Sequence, residues 1–323
     1  MKRILGRSGI DVSAIGLGCW AIGGPYRHNG NPSGWGMIDD SESLRALALG
    51  MDSGVNFLDT ADVYGCGHSE ELIGKVIKGK RDAVVIATKF GITFDPVRKE
   101  VTGENQDGAY IRSACEASLR RLKTDYIDLY QFHCGDTDAE EPLMETLEQL
   151  VEEGKIRAYG WSTDTPERAA LIARGPNCCA VQQELSVVTG RDEVLKICEE
   201  NNLASINRSP LAMGILSGKY TRSTSFPDGD VRSAFMNLAS GVFAERMELA
   251  NSIRDVLTAN GRTPAQGSLA WLLAKSTRTI PIPGFRNSRQ VEENCAVLAS
   301  GPLSDTEMCQ IDKLLAKYKA GDR

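Results

Sequence analysis

The chain has 323 residues, a net charge of −6 and a sequence pI of about 5.3, with 41% apolar and 25% charged residues. No Lys/Arg run offers the basic face a nucleic-acid binder needs, no apolar stretch approaches the ~18 residues of a membrane span, and the opening MKRILGRSGIDV lacks the apolar core of a secretion signal. Nine cysteines, with Cys178 and Cys179 adjacent but no CxxC pair, read as reduced thiols in a cytoplasmic protein rather than as a disulfide framework.

In chain order, RILGRSGIDVSAIGLG predicts a hairpin turning at SGID, flanked by Ile4 and Leu5 on one side and Ile10 and Val12 on the other, leading into a first strand. Eight short apolar runs then read as strands: SAIGLG, VNFLD, AVVIATK, IDLYQF, IRAYGWS, CAVQQ, LASIN and RTIPIP. Helical segments alternate with them, at 41–53, 69–77, 109–122, 140–153, 166–174, 191–201, 246–259 with 264–275, and 288–299, and a last helix at 304–318 lies outside the alternation. Start signals support several of these. Glu42 follows Asp40-Ser41, two glutamates follow Ser69, and Pro166 stands at a first helical position. Alternation of this kind predicts a parallel sheet, and eight repeats favour a closed barrel over an open sheet. The fold class is therefore α/β: a single (β/α)8 TIM-barrel domain over 1–323, with an N-terminal β-hairpin and an extra C-terminal helix. Residues 20–40 and 207–245 read as long loops rising from the carboxyl end of the strands, where barrels bind their ligands.

Three of the strand runs end on a polar group: Asp59 closes VNFLD, Lys89 closes AVVIATK, and His133 follows IDLYQF. Tyr64 lies five residues past Asp59, in TADVYGCG. A phenol loses its proton near pH 10, and an ammonium beside it lowers that value. A carboxylate beside the ammonium holds it in place, and a histidine can donate to the same oxygen. Such a group protonates a carbonyl oxygen or takes the proton back, which is general acid–base work on an aldehyde, ketone or alcohol. Hydride must then come from a nicotinamide cofactor, since side chains cannot supply it. Gly16, Gly18, Gly23 and Gly24 do not match GxGxxG, so the cofactor is held otherwise. IPIPGFRNSRQVEEN suits its phosphate end: Gly284 frees the backbone, Arg286 offers a fork, and Asn287 and Ser288 open a helix. His28, Cys66 and His68 could join His133 around a metal, but only Cys66-Gly-His68 forms a compact pair, and no metal is expected.

The segments GLGCW, FLDTADVYG, ATKFG, DLYQFH, GWST, SPLAMGILSGKY and IPIPGFRNSRQVEEN, in this order and nearly end to end, resemble the aldo-keto reductases. The resemblance implies a (β/α)8 barrel and an extended NADPH/NADP+, with NADH possible. It also implies a tetrad in which Tyr64 donates the proton, Lys89 lowers its pKa, Asp59 orients Lys89 and His133 places the carbonyl. It puts Gly18, Cys19, Trp20 and Asp59 near the nicotinamide, and Ser162, Thr163 and Gln182 at the carboxamide. Ser209, Leu211, Gly214, Ser217 and Lys219 follow at the pyrophosphate, and Gly284, Arg286, Gln290, Glu293 and Asn294 at the adenosine phosphate. Trp20, Tyr26, Trp35, Tyr64 and His133 are expected to meet the substrate.

The chain departs from the pattern where Thr163 replaces the usual Asn, Leu185 a usual Tyr, and Arg208 the aromatic residue that stacks on the nicotinamide. Arg208 is expected either to disfavour the oxidised, cationic cofactor or to pair with an anionic group. The partner is a small carbonyl or alcohol, with a homo-oligomer possible. Two alternatives stay open: a sugar or cyclitol dehydrogenase working oxidatively, and a non-catalytic NADPH-binding subunit.

Overall fold

The structure is a computed structural model and describes residues 1–134 and 141–320. A hairpin of β1 (Lys2–Ile4) and β2 (Asp11–Ser13) precedes eight strands of one parallel sheet. These are β3 (Leu17–Gly18), β4 (Phe57–Asp59), β5 (Val85–Phe90), β6 (Ile127–Phe132), β7 (Ile156–Ser162), β8 (Cys178–Ser186), β9 (Ala204–Arg208) and β10 (Thr279–Pro281). They lie side by side in chain order from β3 to β10. The two ends of the row also meet. Gly16 N–H donates to the Pro281 carbonyl at 2.9 Å, Gly18 N–H donates to that of Pro283 at 3.1 Å, and Gly18 bridges Gly284 in parallel. A side chain on Gly18 would stand 2.6 Å from the Ile282 carbonyl oxygen, so the seam requires glycine there. The architecture is an α/β barrel.

Two cores follow from the period-2 alternation of strand side chains. One alternate set fills the inside of the sheet: Phe57, Val85, Ala87, Leu129, Ala158, Ala180, Ala204, Ile206 and Ile280, with Leu5 and Val12 of the hairpin segment plugging the amino end. The other set faces the surrounding helices, where Leu58, Ile86, Tyr130, Tyr159 and Val181 pack.

The helices lie close to their expected positions: α1 (Asp40–Asp52), α2 (His68–Val76), α3 (Gly108–Leu122), α4 (Glu141–Glu152), α5 (Pro166–Ile172), α6 (Asp192–Glu200), α7 (Gly241–Ser252), α8 (Arg254–Leu257), α9 (Pro264–Lys275), α10 (Ser288–Cys295), α11 (Val297–Ser300) and α12 (Asp305–Ala320). Glu140, at the start of the expected fourth helix, lies outside the described residues. Two expectations need correction. The segment at 20–40 is not a plain loop: its Arg27–His28 and Asn31–Pro32 join Ile92–Asp95 and Glu100–Glu104 in a small four-stranded sheet over the rim. Asp95 turns its hairpin by accepting from the Val97 and Arg98 N–H groups at 2.8 and 3.0 Å. The loop after β9 is also shorter than expected, because Ser240 and Gly241 start α7 five residues early.

All nine cysteines are free thiols. Among the described residues no helix is long and apolar enough to cross a membrane, and no cluster of His, Cys, Asp or Glu could hold a metal ion.

Candidate active site

The inward row of five strands is apolar at its start and polar at its end. Phe57 leads to Asp59, Val85 and Ala87 to Lys89, Leu129 to Gln131, Ala180 to Gln182, and Ile206 to Arg208. A strand rises about 3.3 Å per residue, so each change from core to chemistry occurs within about 7 Å. Of these ends, Asp59, Gln182 and Arg208 form the floor of a cavity of ≈ 800 Å³ at the carboxyl end of the barrel.

Lys89 is fully buried beneath this floor. Its Nζ donates to Asp59 Oδ1 at 2.6 Å, to the Thr60 carbonyl at 2.8 Å and to the Tyr64 hydroxyl at 3.2 Å. The second Asp59 oxygen accepts from Gln182 Nε2 at 2.7 Å and Gln131 Nε2 at 3.2 Å. The carboxylate is thereby satisfied on both oxygens, which is what makes a charge at this depth tolerable. Tyr64 owes its position to Gly65, which has φ 61° and whose missing side chain leaves room for the Gly23 carbonyl oxygen. The Tyr64 ring stands edge-on to His133 at 6.1 Å and nearly parallel to Trp20 at 6.0 Å.

Electrostatics divide the four groups. Burial opposes the charge on Lys89, but Asp59 and then Tyr64 outweigh it, and the ammonium stays protonated beyond its ordinary range. Burial lifts the Tyr64 phenol above its ordinary value while the Lys89 charge pulls it down. The expected lowering by Lys89 is therefore present but is the smaller effect. His133 is pushed down to about 3, first by burial and then by the charges of Lys89 and Arg208, so its imidazole is neutral at physiological pH. Its Nδ1 is buried without a partner in the protein.

An aromatic wall rises beside Tyr64. The Trp20 indole N–H donates to the Tyr26 hydroxyl at 3.0 Å and to the Ser33 carbonyl at 3.2 Å, and Trp35 meets Trp20 edge to face at 5.4 Å. Trp20, Tyr26, Trp35 and His28 all line the cavity. Above them the two long loops clasp. Val231 N–H donates to the Gly34 carbonyl at 2.8 Å, and Trp35 bridges Asp230. The Arg232 guanidinium lies over Trp35 at 4.5 Å and Phe226 at 4.3 Å, while Asp230 accepts from its Nε at 2.9 Å and its Nη2 at 2.6 Å. Arg232 carried no sequence signal, because the Trp35 ring it covers comes from a distant segment.

The remaining expected residues fall as follows. Gly18, Ser162, Thr163, Gln182, Arg208, Ser209, Leu211, Gly214, Ser217, Lys219, Gly284, Arg286, Gln290, Glu293 and Asn294 all line the cavity. Cys19 does not: it is fully buried, and its backbone N–H donates to the Asp59 carbonyl at 2.8 Å. At the far end Arg286 donates to the Met37 carbonyl at 2.6 Å, and its own N–H donates to Gln290 Oε1 at 2.7 Å. The N-terminus of α10 beside it is capped by Asn287, which accepts from Gln290 N–H at 3.0 Å. Arg208 meets one of its two expectations, since it pairs with Asp164 and lies 3.9 Å from Glu184. Asp164 was missed because it lies beyond the end of its strand, outside any motif.

The family model described as the aldo/keto reductase family matches residues 14–316. The chain belongs to the aldo/keto reductase family. It is an oxidoreductase on an α/β barrel. It is 36% identical over 312 residues to an aldo-keto reductase named for NADP(+) from Schizosaccharomyces pombe, covering 93% of this chain and 87% of that one. A glycerol dehydrogenase from Gluconobacter oxydans superposes with a TM-score of 0.82 at 30% identity, over 95% of this chain and 93% of that one. An aldo-keto reductase from Klebsiella pneumoniae in complex with NADPH superposes with a TM-score of 0.72 at 29% identity, over 98% and 95%.

Proposed function

We propose that this reductase is a single-domain, closed (β/α)8 enzyme that interconverts an aldehyde or ketone and its alcohol with NADP(H), Tyr64 giving and taking the proton. The observation that carries the reading is the Lys89 ammonium, held by Asp59 and Thr60, 3.2 Å from a phenol at the base of the cavity. The hydroxyl is kept as an acid by burial, and the ammonium beside it stabilises the phenolate left when the proton goes to the substrate oxygen. Neutral His133 offers a ring N–H or a lone pair to the same oxygen without adding charge.

The residues present fit an extended dinucleotide. One cavity is lined by Tyr64 and by Arg286, with the Ser162, Thr163 and Gln182 polar groups and the Lys219 cation on its walls. Ser162, Thr163 and Gln182 would hold a carboxamide. Gln182 Nε2 already serves Asp59, so its oxygen would be the acceptor. Ser217 and Lys219 would meet the pyrophosphate, and Arg286 and Gln290 the adenosine phosphate. When bound, the cofactor supplies the hydride. The relative named for NADP(+) and the neighbour bound to NADPH support this choice.

Tyr64→Phe tests the assignment. NADPH oxidation with a panel of aldehydes should fall by about 10²–10⁴-fold, while NADPH binding followed by fluorescence stays near the parent value. Retained turnover would remove Tyr64 from its role. The oxidative reading draws support from His28 and Ser33 in the substrate wall and from the similarity to a glycerol dehydrogenase. Polyols with NADP+ decide between the two directions.

A further inference from the structure

Strand register places three charged groups near one height just above the Asp59–Gln182 layer. Ser162 pairs with Gln182, Glu184 pairs with Arg208, and Asp164 stands two residues beyond Ser162. Asp164 ties this layer together: one carboxylate oxygen accepts the Glu184 N–H at 2.6 Å and the other accepts from Arg208. Glu184 lies 3.9 Å from the same guanidinium, and its other oxygen lies 4.0 Å from Arg246. Asp164 and Arg208 both line the cavity. The Arg208 charge is felt across it, for it helps depress His133 and pulls down on Tyr64. A bare cation here would therefore act on whatever reacts beside Tyr64.

From this layer we infer that Asp164 is a specificity-determining residue: by neutralising Arg208 it sets the relative affinity for the oxidised and reduced forms of the nicotinamide cofactor. The inference rests on the functional reading above. A carbonyl oxygen in contact with the Tyr64 hydroxyl has its carbon within a bond length, and hydride transfer requires the nicotinamide to touch that carbon. The ring therefore lies in the part of the cavity that Arg208 already influences. Loss of a hydride turns a neutral dihydronicotinamide into a cation, so the two forms differ by one unit charge at that place. Arg208 alone would repel the oxidised form and leave the reduced form nearly unaffected. Asp164 in contact, with Glu184 behind it, cancels that preference and keeps both directions of the reaction accessible.

The test is the ratio of dissociation constants for NADP+ and NADPH, read by fluorescence titration of the full chain. Asp164→Asn should raise that ratio by about five-fold, the size expected of one uncompensated charge at a partly solvated rim. Arg208→Gln should move it in the opposite direction, because the Asp164 carboxylate then faces the ring without its counter-charge. The double variant should return near the parent ratio. An Asp164→Asn protein that weakens both forms equally would reduce Asp164 to a wall residue and overturn the inference. Failure of the parent protein to bind either form would overturn the functional reading, and this inference with it.

Discussion

The two ends of the cavity are built on opposite plans. At the reacting end, Asp59 and Lys89 project from barrel strands and are almost wholly buried, and hydrogen bonds satisfy both Asp59 oxygens. At the far end, Arg286, Lys219 and Glu293 stand on loops and a helix terminus, with Lys219 and Glu293 3.9 Å apart and partly exposed. The difference shows where this protein places rigidity. A proton must be held within a hydrogen bond of the substrate, and only the sheet fixes atoms that closely. A phosphate is gripped by charge over a longer range and tolerates mobile partners.

The largest effect should come from breaking the rigid end. Lys89→Met leaves Asp59 as a buried carboxylate without its counter-charge, so unfolding free energy should drop by about 3–5 kcal/mol, and turnover should fall by about 10²–10⁴-fold. Denaturant melts and NADPH oxidation check the two parts. Stability unchanged in Lys89→Met would mean that the pair is not the fixed element described here. The next effect concerns pH. His133 sits at about 3 when folded, against about 6.5 when unfolded, so below pH 6.5 the unfolded chain binds the extra proton. Its contribution is thus fully present above pH 6.5 and falls by up to about 1.4 kcal/mol per pH unit down to pH 3. Comparing urea midpoints of the parent and His133→Gln between pH 4 and 7 isolates this slope, which the variant should lose. The smallest effect belongs to the loop-built end. Arg286→Ala should weaken NADPH by about ten-fold, the loss of one charge-assisted contact, while NADH changes little. Isothermal titration with both cofactors reads the difference, and an equal loss would place the phosphate elsewhere.

The same division governs how much could be read from the chain. Strand ends carry their signal locally. IDLYQF and IRAYGWS coincide with β6 and β7, and a polar residue closing an apolar run at Asp59 or Lys89 is visible without tertiary information. Even so, the direction of the Tyr64 shift depended on burial, which no motif reports. Loop-borne features needed the third dimension. The four-stranded rim sheet pairs Arg27 with Glu100, and the Arg208–Asp164 contact spans β9 and the end of β7. Such pairings leave a trace only in segments too far apart to compare by eye. Asp95-Pro96 was one local cue to the rim sheet, since Asp-Pro favours turn initiation, and Asn29-Gly30, both at positive φ between Arg27–His28 and Asn31–Pro32, was another.

Arg232 works as a rivet. One guanidinium, pressed between Trp35 and Phe226 and locked to Asp230, fastens two long segments beside the Trp35–Asp230 bridge and the Val231–Gly34 hydrogen bond. A fastening so local can let go while the barrel beneath stays folded. Loss of the Arg232 side chain should therefore raise amide exchange across 221–240 more than in the barrel strands.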